Sequence, residues 1–335
     1  MAMMTKNKHR LIGLITIFLS GAVSAQGLGP TIVPNVFQPS EPALSSEVNE
    51  NFAVLDQAVV TLIDDVAIRT VVVSPVPGDP VASGDALRNE LAGIESPATD
   101  NRYLLIIEPG DYDLGNGGLT TRSYVDIEGS GPGMTTLHLA DSSITLVDAV
   151  EIRGLSVEAT YGSGGGNAFL STTVSNVSLR DMSITATATG ASVSAVIGVA
   201  SGSSFQIRNV DINVSGGIAS NAVSSATGLF FDIRNSSITS SGASSFNRPI
   251  ALNNSSLMMV DVTATATGVG ARALQTNGPA SVFNSRLVSD ADAIIVDTTG
   301  SVGAANTQIV GAYADPDITV VGCYDASFAP IADTL

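Results

Sequence analysis

One corner recurs seven times in this chain: an apolar residue, an outward residue, a residue tolerant of left-handed backbone, then an apolar strand. Aligned on the third position, the corners fall at Gly154, Asp181, Asn209, Asn235, Asp261, Asn284 and Asn306, separated by 27, 28, 26, 26, 23 and 22 residues. Two positions before them stand Ile152, Leu179, Ile207, Ile233, Met259, Val282 and Ala304. Three positions after them stand Val157, Ile184, Ile212, Ile238, Ala264, Leu287 and Ile309. Side chains alternate along a strand, so inward residues on both sides of the corner, such as Ile152 and Leu155, demand a bend between them. Gly, Asn and Asp supply that bend because they tolerate positive φ. A unit of this length cannot bury its own apolar face and must stack on copies of itself. The repeat therefore predicts an all-β chain, a right-handed parallel β-helix of about eight to nine coils over residues 101–328.

Upstream the pattern changes. Residues 1–25 have the layout of a signal peptide: Lys6, Lys8 and Arg10 precede an apolar run over residues 11–19, and Val23, Ser24 and Ala25 offer a small-residue cleavage site. The run is shorter than the ~20 residues a bilayer span needs, so the expectation is a secreted or cell-surface protein without a membrane span. Loss of those three basic residues takes the formal charge from −17 to −20. Such acidity repels nucleic acid and anionic lipid, which excludes both as partners. Cys323 is the only cysteine; it can form no internal disulfide and is expected to be buried near the last coil.

Residues 26–70 contain a heptad-spaced run, Val48, Phe52, Leu55, Val59, Leu62 and Val66, preceded by Pro39 and Pro42, with Ser45 or Ser46 to cap and Glu47 in the first turn. A helix this short rarely stands alone. It points to a homotrimer through residues 48–66 or to packing on the neighbouring coil. Residues 71–100 read as a linker, rich in Pro and Gly at 76–79, and a capping helix over 83–94 with Leu87, Leu91 and Ile94 on one face, placed to cover the open first coil. A short strand is expected at 70–74.

The stretch LLIIEPGDYDLG (residues 104–115) followed by YVDIEGSGPGMTTL (124–137) resembles the opening coils of pectin lyase-like and pectinesterase-like β-helix proteins. VTATATG (262–268) and VGCYDASF (321–328) are similar to a group of secreted bacterial right-handed β-helix proteins of no assigned activity, whose members carry a segment like PALSSEVNENF (42–52). The resemblance implies the fold. It transfers no catalytic residue, because the Gln-Asp-Thr-Leu and Asp-Phe-Ile-Phe-Gly motifs of pectinesterases have no counterpart here.

Arg153, Arg180, Arg208 and Arg234 occupy the position before the corner in four successive repeats, with Asp181, Asp211 and Asp232 close in sequence. Such a column either grips uronic-acid carboxylates, which guanidinium matches bidentately, or is a solvated ladder offset by those acids. Past the corner, Thr185, Asn213, Thr239 and Thr265, then Thr187, Ser215, Ser241 and Thr267, point outward. They make a flat hydroxyl-rich face able to bind glycan or ordered water, or they simply suit a solvated strand. His138 lacks a Gly-x-Ser-x-Gly elbow, and one His with one Cys argues against structural zinc. Asp290, Asp292 and Asp297 leave Ca²⁺ open against an exposed acidic loop, and no other cofactor is expected. Residues 162–166, four glycines around Ser163, read as a flexible turn. The function expected is a non-catalytic exported β-helix for adhesion or for contact with polysaccharide or cell-surface glycan. The alternative is a divergent polysaccharide lyase or pectinesterase-like enzyme acting on acidic glycans through the Arg column.

Overall fold

A computed structural model describes residues 44–334, apart from 67–68, 163, 172–175, 199–201, 203, 226–227, 298–299 and 314–316. The segment read as a signal peptide lies outside the described residues. Two compact units divide at Ala67. The first contains helix α1 (Ser45–Val66), which spans the heptad run and leaves Phe52 and Leu55 exposed. Among the described residues no helix is long and apolar enough to cross a membrane.

The second unit is a parallel β-helix, and its corners explain why. All seven predicted corner residues have positive φ, between +49° and +67°. Each turns the chain from a first face onto a second, and each ladder keeps its register through the turn. The residues two positions before the corners are Cα partners from coil to coil. Those three positions after them are too. Both files are at most 3 % exposed. Each fully buried Ile or Leu side chain in these two stacks contributes about 1.5–3 kcal/mol to the fold. Phe205 and Phe231 stack within the same core, with ring centroids 5.2 Å apart.

Two glycines flank the seven corners in the stack. Gly129 aligns with Gly154 but has no positive φ. It is glycine because a Cβ there would lie 2.5 Å from the Gly154 carbonyl oxygen and 2.7 Å from Leu155. Gly322, at φ +59°, is an eighth left-handed corner following Val320 and preceding buried Cys323. It stands only 16 residues after Asn306, so a search at even spacing passes over it.

Among the described residues, eleven rungs stack on the first face, from Arg69–Val73 to Ile318–Val321. Nine stack on the second face, from Gly110–Gly115 to Gln308–Ala312. Eight stack on the third, from Leu119–Thr120 to the end of Arg286–Val296. Helix α2 (Pro80–Gly93) lies between the first two rungs of the first face in sequence. It begins three residues earlier than expected, because Asp79 caps it by accepting from Ala82 N at 3.0 Å and Pro80 suits the first turn. Leu87, Leu91 and Ile94 are buried, so the helix covers the open first coil. At the other end residues 323–334 double back. Ile331 N donates to Cys323 O at 2.8 Å and Thr334 N to Val320 O at 3.1 Å, which occupies the last edge.

Candidate functional site

The parallel register sets Arg153, Arg180, Arg208 and Arg234 directly above one another. Each has a carboxylate beside it. Arg153 donates to Glu128 at 2.7 Å and to Glu151 at 2.5 Å. Arg180 lies 3.5 Å from Asp181 and 4.0 Å from Glu151. Asp232, with its side chain 10 % exposed, accepts from Arg208 at 3.3 Å and from Arg234 at 2.7 Å. Burial works against the charge on Arg153, but the bonds to Glu151 and Glu128 outweigh it and raise its pKa; the bond to Asp232 raises that of Arg234. Asp211 forms no ion pair with the column among the described residues. Glu128 meets Arg153, and Glu151 meets Arg180, only through register, whereas Glu151 and Arg153 are neighbours two residues apart on one strand.

On the second face Thr185, Asn213, Thr239 and Thr265 stack as Cα partners, as do Thr187, Ser215 and Ser241. A third polar file, Ser183, Asp211, Ser237 and Thr263, runs beside them. His138 sits further down the same face, with Nε2 3.2 Å from Asp111 and Nδ1 3.4 Å from Glu158. The three aspartates considered for Ca²⁺ do not converge. Asp290 accepts from Gly268 N and Asp297 from Gln275 Nε2, each at 2.9 Å, and Asp290 and Asp292 lie in a strand, not a loop. Among the described residues no three His, Cys, Asp or Glu side chains come together as a metal site.

The third face carries an open cleft of about 650 Å³. It arises from a second break in alternation. Ala168-Phe169, Ala195-Val196, Ala222-Val223, Pro249-Ile250 and Ala273-Leu274 are each two consecutive buried residues, at the same level in five successive coils. Two adjacent inward residues bend a strand. Polar residues on either side of that bend line the cleft. Asn167, Ser194, Asn221 and Arg248 form one file as Cα partners. Ser224 and Gln275 lie across from them, with Asn253, Asn277 and Asp297 beyond.

A hydrogen-bonded chain crosses four coils here. Arg248 Nε donates to Asn221 Oδ1 at 2.9 Å and Arg248 Nη1 to Gln275 Oε1 at 3.1 Å, while Gln275 Nε2 donates to Asp297 Oδ2 at 2.9 Å. Asn277 Nδ2 donates to Asn253 Oδ1 at 2.6 Å. Burial and the neighbouring charge of Arg272 lower the pKa of Arg248, opposed by Asp297. From Asn167 to Asp297 the lining spans six coils, roughly 24 Å at about 4.8 Å per coil. Apart from Asp297, weighed only for Ca²⁺, none of these lining residues was among the expected site residues. The small-then-apolar pairs at 168, 195, 222, 249 and 273, each just behind a polar residue, are the signal that marks it. Gly164, Gly165 and Gly166, read as part of a turn, form one rim.

No protein-family model matches the chain, and no curated protein sequence does. Among solved structures, ORF18 of Geobacillus virus E2 shares 9 % identity at a TM-score of 0.40, over 87 % of this chain and 64 % of that one. Pectin methylesterase PemA from Erwinia chrysanthemi shares 12 % identity at 0.35, over 80 % and 92 %. The A-module of mannuronan C-5 epimerase AlgE4 from Azotobacter vinelandii shares 11 % identity at 0.29, over 73 % and 97 %. Likenesses this distant establish neither activity nor substrate.

Proposed function

We propose that this protein is an exported, non-catalytic β-helix that binds an extended glycan along its third face. The observation that carries the reading is the cleft's lining of carboxamide, hydroxyl and guanidinium groups, repeated over successive coils. Sugar hydroxyls each donate and accept, and Asn, Gln and Ser side chains match both roles. The Arg column supports the choice by default, since its charges are already met by Glu128, Glu151, Asp181 and Asp232. The lyase or esterase alternative has less behind it. Acid and base catalysis on a glycan needs ionisable groups free to exchange protons at the scissile bond, and among the described lining residues these are Arg248 and Asp297, both tied to the Gln275 side chain. Assembly through α1 belongs to the same proposal, and sedimentation of the mature chain with and without residues 26–70 tests it.

Isothermal titration against a panel of plant and bacterial oligosaccharides tests the binding itself. Asn221→Ala with Gln275→Ala is expected to weaken the best ligand about tenfold or more, from two lost hydrogen bonds. Unchanged affinity in that double variant overturns the reading. Acidic polysaccharide incubated with the protein is expected to gain no ultraviolet absorbance from unsaturated products.

A further inference from the structure

Resting on the reading of the cleft as a glycan site, we infer that Arg248 and Arg272 form a subsite for a singly charged oxyanion carried by that glycan, a uronate carboxylate or a sulfate ester. The two guanidiniums meet at one place. Both Nη1 atoms donate to the same acceptor, Gln275 Oε1, at 3.1 Å. Both groups also lie over the same ring, that of Phe246, at 5.0 and 5.6 Å. Stacking on an aromatic face fixes the plane of a guanidinium, so its remaining N–H groups point in set directions.

What distinguishes this pair is that neither guanidinium is directly paired with a carboxylate among the described residues; the charge of Asp297 reaches Arg248 only from a distance. Among the described residues no carboxylate lies within 4.0 Å of either guanidinium, whereas every member of the first-face Arg column has one. Asp297 is held one step away, bonded to the amide end of the Gln275 side chain whose carbonyl end takes both arginines. Asp292 is the Cα partner of Arg272 on the next coil, but Arg272 reaches the other way, toward Phe246 and Gln275. Two like charges brought together and partly desolvated repel, in a chain whose formal charge is −17. A bound oxyanion relieves that repulsion. The donors are present for it: an arginine has five N–H groups, and the bonds above use two from Arg248 and one from Arg272. Arg248 lines the cleft directly, beside Asn221 and Gln275, so an anion there would be flanked by partners for the sugar's hydroxyls.

The test uses the mature chain and three probes of matched length: oligogalacturonate, its carboxyl-reduced neutral counterpart, and a sulfated neutral oligosaccharide. At low ionic strength one of the charged probes is expected to bind about tenfold or more tightly than the neutral one, as a charge-assisted bidentate contact implies; which of the two does so identifies the anion. Arg248→Gln should erase that preference, bringing the ratio of charged to neutral affinity to about one. Arg248→Lys, which keeps the charge and loses the fork, should reduce it, and Arg272→Gln serves if the first variant fails to fold. Equal affinity for charged and neutral probes, or a preference that survives Arg248→Gln with Arg272→Gln, overturns the inference while the glycan reading stands. If no glycan binds, the glycan reading falls, and the subsite is decided by sodium sulfate against sodium chloride at equal ionic strength. Sulfate raising the Tm of the native chain but not of the double variant upholds the anion subsite; an equal response in both removes it.

Discussion

At each corner a single backbone angle decides which side chains the chain can carry. A residue at φ near +50° costs little for Gly and modestly for Asn or Asp, but is a severe outlier for a β-branched side chain. Asn235→Val is therefore expected to lower stability by about 1–2 kcal/mol and Asn235→Gly to be close to neutral, both read from urea unfolding. Hydroxyls one step past the corner add a second local device. Ser285 Oγ accepts from Val262 N at 3.2 Å and donates to Phe283 O at 2.7 Å, and Ser236 repeats the pattern between Val210 N and Arg234 O. A buried tyrosine gives a further residue-scale expectation. Tyr112 donates its hydroxyl to the Glu108 and Val73 carbonyls, and burial, with help from Glu108, pushes its pKa up to about 12. Its ionised form is favoured in the unfolded chain, so the stability it supports is fully present below pH 10 and is lost as pH rises toward about 12. Tyr112→Phe should flatten the fall in stability across that interval in pH-dependent denaturant titrations, and an unaltered slope would refute the assignment.

Among the elements, α2 closes the opening end of the helix. Its fit is tight at Gly84, where a Cβ would lie 2.0 Å from the Asp113 carbonyl oxygen, and Arg88 Nη1 donates to Leu114 O at 3.0 Å. Leu87 is fully buried under it. Leu87→Ala is expected to cost about 2–5 kcal/mol. Because each coil contacts only its neighbours, that loss should open the first coils alone. Hydrogen exchange should show lost protection over residues 69–115 and retained protection over 204–296; uniform loss would mean the solenoid unfolds as one unit. The elements also show what a sequence reader can and cannot see. The first and second faces were legible because their shared corner is written in Gly, Asn and Asp at regular intervals. The boundary between the third and first faces was not, since its left-handed positions include Tyr124 and Ala149, residue types that do not announce positive φ. The cleft was hidden for a related reason. Asn221, Arg248, Gln275 and Asp297 stand 22 to 27 residues apart and become one chain of hydrogen bonds only when four coils are superposed.

For the molecule as a whole, one stacking rule yields three surfaces with different chemical fates. The first face spends its arginines on its own carboxylates. The second carries files of short hydroxyl and amide side chains, with Asp211 in one file and His138 further down. Among the described residues the third face combines a cleft of about 650 Å³, polar groups repeated over successive coils and a guanidinium pair with no carboxylate bonded to it, and binding needs concavity to bury enough of a ligand to offset the freedom lost on association. This separation can be measured by altering one face at a time. Thr239→Lys with Thr265→Lys, and separately Arg208→Ala, should each leave glycan affinity within twofold of the native chain. The lysine pair, at half-buried outward positions, should shift stability by no more than about 1 kcal/mol. Arg208→Ala should cost somewhat more, because it strips one partner from the nearly buried Asp232 carboxylate. Loss of binding in the lysine variant at unchanged stability would transfer the contact surface to the second face; loss in Arg208→Ala alone would return it to the arginine column.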